Sequence, residues 1–191
     1  MRNITKEVIN VIDNSGLETY GIGKIERKGF KRVIVVGEKL PYGLREKGFI
    51  NVIPDYIRIF YKLNRQLNKI QKVIDEFGFQ TEIQNGFSIT GDLRIFVERA
   101  GLGSKGANEM ILNPEYGANL IFAILFTDCL KLPLSEKIDG VCIQCHRCWD
   151  ACPGNALGPE GLNVKRCLPY SLRACQECID ACPIGRMEAK K

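Results

Sequence analysis

Cys142, Cys145, Cys148 and Cys152 stand in the spacing C-x-x-C-x-x-C-x-x-x-C, and Pro153 follows at once. A partial copy, Cys175-x-x-Cys178-x-x-x-Cys182-Pro183, comes near the C-terminus. The segments Cys148–Pro153 and Cys178–Pro183 share the pattern C-x-D-A-C-P, an internal repeat. Thiols this close, closed twice by a φ-restricting proline, leave the backbone few paths. It must wrap around whatever the sulfurs hold.

Three close thiolates, a remote fourth and a C-P ending form the bacterial ferredoxin run that grips a [4Fe–4S] cube. In two-cluster folds of this kind the last cysteine of each run serves the other cluster. Cluster one then takes Cys142, Cys145, Cys148 and Cys182. Cluster two takes Cys152, Cys175, Cys178 and one more thiolate. A strict repeat would put that ligand at Leu172, where there is no sulfur. Cys167 is the nearest substitute, and a longer loop costs little entropy to close. Cys129, the ninth cysteine, is the competitor, although a free cysteine commonly acts as a small core hydrophobe. Structural zinc also uses paired C-x-x-C, but it requires neither a third cysteine at the same spacing nor the C-P ending. The sole histidine, His146, lies between two ligands and is read as a neighbour of the cluster or a surface residue.

The remaining composition is that of a globular protein: 191 residues, 45% apolar and 26% charged. Its formal charge of +5 counts every thiol as neutral. Two clusters, each about −2 with its thiolates, would bring the loaded chain to about +1. There is no dense Lys/Arg block, so specific nucleic-acid binding is not expected. The polar N-terminus has no apolar core of a signal peptide. The longest apolar run, Leu120–Phe126, is too short to span a bilayer. A cytoplasmic location follows as an expectation, and nine cysteines there read as ligands rather than disulfides.

Ahead of the cysteines the chain alternates helix and strand, an α/β (α+β) pattern. Val8, Ile9 and Ile12 give Thr5–Asn14 an amphipathic face, with Gly16 as a stop. Tyr20–Ile25 reads as a strand. Arg32–Gly37 reads as a strand buried on both faces, because Val33, Ile34, Val35 and Val36 run without a break. Between Pro54 and Gly78, the residues Phe60, Leu63, Leu67, Ile70, Ile74 and Phe77 recur at helical spacing. Lys62, Arg65, Lys69 and Lys72 fall largely off that stripe. Phe87–Ile89 and Leu93–Val97 are open between strand and helix, and Leu120–Phe126 is a buried strand. Asp139-Gly140 marks a change from hydrophobic periodicity to cysteine spacing. The predicted domains are therefore 1–138 and 139–191, the second too small to build a core of its own. A hairpin is expected around Gly158-Pro159-Glu160-Gly161.

Gly101-Leu102-Gly103-Ser104-Lys105-Gly106 matches G-x-G-x-x-G. Without a preceding parallel strand and a following acidic residue, that is a weak dinucleotide signal. A longer resemblance accounts for it better. Four segments carry it: Arg99-Ala100-Gly101-Leu102-Gly103-Ser104-Lys105-Gly106, Leu112-Asn113-Pro114-Glu115-Tyr116-Gly117, Phe126-Thr127-Asp128, and the cysteine runs. Together they resemble the epoxyqueuosine reductase and reductive dehalogenase group of iron–sulfur proteins. Arg166-Cys167-Leu168-Pro169-Tyr170 resembles the lone R-C context before that group's second run, which supports Cys167 as the eighth ligand. The likeness is specific from Ala100 to Pro183 and weaker before about residue 90.

The resemblance implies an N-terminal sheet with helices, akin to flavin nitroreductases and binding a corrinoid without a histidine ligand. It also implies a small ferredoxin-like C-terminal module with two [4Fe–4S] clusters. Cobalamin, and after it a flavin, are the organic cofactors to test. Gly101, Gly103, Ser104 and Tyr116 are candidate cofactor-binding residues. Asp92 is a candidate proton donor, against the plainer reading of a solvated turn. Two functions stand. One is an iron–sulfur reductase passing single electrons through both clusters to a cofactor or substrate held by the N-terminal domain, with a small-molecule or nucleoside-type substrate. The other is a ferredoxin-like carrier that docks on a partner enzyme without an organic cofactor. Either needs an electron donor or acceptor protein and no membrane.

Overall fold

The computed structural model describes residues 2–40, 49–84 and 92–185. In chain order the elements are α1 (Ile4–Asp13), β1 (Thr19–Arg27), β2 (Phe30–Lys39), α2 (Phe49–Glu76), β3 (Thr81–Gln84), α3 (Arg94–Arg99), β4 (Ser104–Lys105), β5 (Ile111–Leu112), β6 (Leu120–Thr127), α4 (Arg147–Asp150), β7 (Leu157–Gly158), β8 (Gly161–Leu162), α5 (Val164–Ser171) and α6 (Glu177–Asp180). They form two compact units. The first comprises Met1–Glu38, Arg58–Leu102 and Ile121–Lys137, and the second Lys39–Ile57, Gly103–Leu120 and Ile138–Lys191.

The first unit is built on a sheet of strand order β1-β2-β6-β3. β1 and β2 pair antiparallel, closed by a two-residue turn between Arg27 and Phe30. Lys28 and Gly29 in that turn both have positive φ, at 45° and 91°, as a tight hairpin requires. Val33 to Val36 are all fully buried, as the unbroken β-branched run implies. β3 and β6 pair antiparallel from Thr81↔Thr127 to Gln84↔Ile124. α1 starts where the Asn3 side chain accepts a hydrogen bond from the Lys6 backbone N–H. It buries Ile4, Val8 and Ile12, one turn apart along a single face. Ile9 is only half-buried.

α2 begins at Phe49, earlier than the boundary expected at Pro54, which lies inside the helix. Proline there, the sixth residue of the helix, removes one backbone bond in the second turn. The apolar stripe is as expected through its middle: Leu63, Leu67, Ile70 and Ile74 are fully buried. Off the stripe, Lys62 reaches Glu38 at 2.7 Å. Leu93–Val97 resolves into the single short helix α3, too brief for periodicity to have revealed it. Phe87–Ile89 lies outside the described residues.

In the second unit the cysteine segments do not stand alone. Leu112, Ala118 and Cys182 form a buried cluster, with Val141, Cys142, Ile179 and Ile184 packed against it. Residues 103–120 therefore supply apolar surface that some fifty cysteine-rich residues lack. They do so as a small antiparallel pair, β4 with β5, and a turn closed by the mutual backbone bonds of Asn113 and Gly117 at 2.8 and 2.9 Å. The expected hairpin appears as β7 and β8, with Leu157 opposite Leu162. Among the described residues, no helix is long and apolar enough to cross a membrane.

Candidate metal centre

The C-x-D-A-C-P repeat is also a structural repeat. α4 carries Cys148 and α6 carries Cys178; each is four residues long and ends on an alanine in helical conformation, Ala151 or Ala181. The cysteine after each turn is tied back the same way. Cys152 N–H donates to the Trp149 carbonyl and Cys182 N–H to the Ile179 carbonyl, both at 3.1 Å. Ahead of α4, Gln144 and His146 take left-handed φ values of 54° and 55°. Those two left-handed residues flank Cys145, which is exposed, while Cys148 is buried.

Cys142, Cys145, Cys148 and Cys182 line one cavity, together with Ala107, Asn108 and His146. Burial pushes the Cys148 thiol above its ordinary pKa, and the nearby Cys182, Cys142 and Cys145 push it further. A second group centres on Cys178. Burial first, then Cys175, Cys152, Cys148 and Cys167, raises its thiol to about 12. Cys167 is raised by burial and by Cys152 and Cys175. Crowded, half-desolvated thiols resist ionising together unless a cation compensates them. This donor set suits a positively charged iron core. Backbone N–H groups already point at two of the sulfurs: Ala107 donates to Cys142 Sγ at 3.4 Å, and Ala156 to Cys152 Sγ at 3.3 Å.

Among the described residues, no three His, Cys, Asp or Glu side chains close around a point as a single ion would need. Tetrahedral zinc with bonds of about 2.3 Å draws its sulfurs to about 3.8 Å from one another. A cube binds each thiolate at a different corner and leaves them further apart. Cys129 is fully buried within the first unit, just after β6, and burial raises its thiol.

The other sequence candidates have local tasks. Gly101 belongs to the first unit, where a Cβ would land on the Glu136 carbonyl oxygen. Gly103, Ser104 and Tyr116 belong to the second. Gly103 has φ +148°, and a Cβ there would strike the Leu112 carbonyl. Ser104 is buried, and its Oγ accepts from the Val141 N–H at 3.1 Å. The Lys39 ammonium sits 5.7 Å from the centre of the Tyr116 ring. The glycine loop leaves helix α3 and enters strand β4, the reverse of the strand-to-helix order that cradles a dinucleotide. Asp92 grips Arg94 through both carboxylate oxygens at 2.7 Å and accepts the Arg94 backbone N–H at 3.0 Å.

Two residues of the site escaped the sequence reading. Trp149, the sole tryptophan, stacks on His146 at 4.0 Å and donates its indole N–H to the Ala107 carbonyl at 2.7 Å. Its occurrence where the second copy has Ile179 was the available signal. Asn108 is 97% buried beside Cys142, Cys145, Cys148 and Cys182, with its Nδ2 unpartnered; no motif marks it. The first unit carries an open groove of about 540 Å³ whose lining includes Lys24, Glu26, Arg99, Ser135 and Lys137.

No protein-family model matches the sequence. The chain is 33% identical over 154 residues to an epoxyqueuosine reductase of Pseudomonas aeruginosa, covering 69% of this chain and 42% of that protein. It is 33% identical over 118 residues to an epoxyqueuosine reductase of Bacillus subtilis, covering 51% of this chain and 30% of that one. It thus spans less than half the length of these curated relatives. Among solved structures, a catabolic reductive dehalogenase in complex with 3-bromo-4-hydroxybenzoic acid matches 95% of this chain and 32% of its own, with TM-score 0.78 and 18% identity. An epoxyqueuosine reductase solved with an epoxyqueuosine-modified tRNA stem loop matches 97% of this chain and 67% of its own, with TM-score 0.72 and 17% identity. By sequence and by fold, the chain belongs to the epoxyqueuosine reductase / reductive dehalogenase-like group.

Proposed function

We propose that the chain is an iron–sulfur reductase of this group. Cys142, Cys145, Cys148 and Cys182 would hold one [4Fe–4S] cluster, and Cys152, Cys167, Cys175 and Cys178 a second. The observation that carries the reading is the exchange of the last cysteine between runs. Cys182 of the second run lines the cavity of the first three cysteines, while Cys152 of the first run perturbs Cys178 and Cys167. A ferredoxin-like module with two clusters makes that exchange.

Bound clusters would supply single-electron transfer. The chain supplies the rest: α4 and α6 orient one thiolate each, amide N–H groups face sulfur, and apolar residues from 103–120 shield the centre. The acceptor would be cobalamin, or a substrate held by the N-terminal domain. The basic lining of the groove beside Arg99 supports an anionic ligand there. The fold neighbour solved with a tRNA stem loop weakens the expectation that nucleic acid plays no part, so a tRNA nucleoside joins small molecules as a substrate class. The carrier alternative draws on one observation: Gly101, Gly103 and Ser104 are engaged in contacts within the chain.

Anaerobically purified protein tests the reading. It should contain about eight iron and eight acid-labile sulfide per chain, and added cobalamin should change its visible spectrum on binding. Full iron with no response to cobalamin or flavin would favour the carrier. Zinc without sulfide would end both readings.

A further inference from the structure

We propose that the Asn108 side-chain amide donates an N–H···S hydrogen bond to a sulfur of the cluster held by Cys142, Cys145, Cys148 and Cys182, and so raises its reduction potential. This rests on the cluster assignment above. Asn108 is 3% exposed and lines the cavity of those four cysteines. Its Oδ1 accepts the Met110 backbone N–H at 3.1 Å. That bond decides which end of the amide is which, because a flipped side chain would set donor against donor. The free end is then Nδ2, a buried donor without a protein partner.

Buried polar groups without a partner are rare and each needs an explanation; among those of the described residues Asn108 Nδ2 is a donor, which an acceptor in the cavity would satisfy. Four of the residues that line the cavity with it, Cys142, Cys145, Cys148 and Cys182, carry sulfur. The neighbouring Ala107 N–H already donates to Cys142 Sγ, so this strand of backbone presents donors to that wall. The side chain is anchored at Oδ1, and the backbone before it is itself tied down. The Trp149 indole holds the Ala107 carbonyl, Met110 holds Oδ1, and a Cβ at Gly106 would come within 2.9 Å of Asn108 Oδ1. Reduction adds one electron to the cluster and breaks no bond. The extra negative charge falls on iron and sulfur, so a hydrogen bond to sulfur is stronger in the reduced state and raises the potential.

The test is a redox titration, with dithionite as electron donor and electron paramagnetic resonance as readout, on loaded wild type and Asn108→Leu. In the variant one of the two couples should shift by a factor of ten or more towards the oxidised form, 59 mV lower for one electron. The other couple should stay, with iron and sulfide unchanged. Equal potentials in loaded variant and wild type would overturn the proposal while leaving the clusters standing. Wild type lacking iron and sulfide would overturn the assignment beneath it. If the variant does not load, reduced wild type with ¹⁵N-asparagine replaces it: a ¹⁵N coupling to the cluster supports the bond, and its absence overturns it.

Discussion

Replacing Gly117 by alanine should unseat Cys182 from 65 residues away. Gly117 closes the Asn113–Gly117 turn at φ +59°, and a Cβ there would fall on the Ile184 carbonyl oxygen, with the carbonyl carbon at 3.1 Å. Ile184 lies two residues beyond Cys182, so the clash bears on backbone next to a ligand rather than on a side chain that could swing away. The left-handed conformation costs alanine about 1–2 kcal/mol. Displacing packed backbone adds about 1–3 kcal/mol. The sum, roughly 2–5 kcal/mol, is a large share of the total stability of about 5–15 kcal/mol usual for a domain. It corresponds to a melting temperature roughly 10 °C lower. Two other glycines separate the contributions. Gly140 has φ +69° with nothing within 4 Å, so Gly140→Ala should show the conformational cost alone. Gly158 has open space and no positive φ, so Gly158→Ala should be near neutral. The assay pairs thermal melting with iron and sulfide analysis of anaerobic protein. Gly117→Ala should lose about half its iron, with the cluster at Cys142, Cys145 and Cys148 the one depleted. If it melts and loads like Gly140→Ala, the contact with Ile184 has no energetic weight and the reasoning fails.

Cys167→Ala should lose about half the iron and Cys129→Ala none; iron analysis of the two variants checks this, and the reverse pattern would make Cys129 the eighth ligand. In iron-free protein the Cys178 thiol is raised by burial and neighbouring thiols from 9.0 to about 12. Its neutral form then favours the folded state, so that stability is fully present below pH 9 and is lost as pH climbs towards 12. Denaturant unfolding at several pH values measures the decline, and Cys178→Ala should flatten it; a stability that rises over this window would contradict the burial of the thiol.

Some of this architecture was legible because it is local. The β-branched run at Val33–Val36 is buried on both faces, and the stripe Leu63, Leu67, Ile70 and Ile74 is a buried helix face, since side-chain period reports directly on which face meets the core. The repeated C-x-D-A-C-P emerges as the matched pair α4 and α6 for the same reason. Local reading stopped where a competing effect was non-local. Pro54 looked like a helix boundary, yet α2 runs through it, one lost bond near the start being outweighed by the burial of the helix's apolar face. Leu93–Val97 was ambiguous because a six-residue helix offers fewer than two turns of pattern. The glycine loop matched a phosphate-binding consensus, but its glycines admit the carbonyls of Glu136 and Leu112, partners that no spacing rule specifies.

The amino-acid order alone settled the chemistry on offer: soft sulfur donors, their number and their pairing in two runs, because ligand spacing is a property of a few consecutive residues. Tertiary packing decided what surrounds them. Residues 103–120 close over the cysteine segments through Ser104, Ala107 and Trp149, in hydrogen bonds that join positions 35 to 42 apart. The same packing buries Asn108 in the wall of the cavity that Cys142, Cys145, Cys148 and Cys182 line, and leaves room only for hydrogen at Gly117. Contacts of that range depend on how two backbones meet in space, which neither periodicity nor composition records.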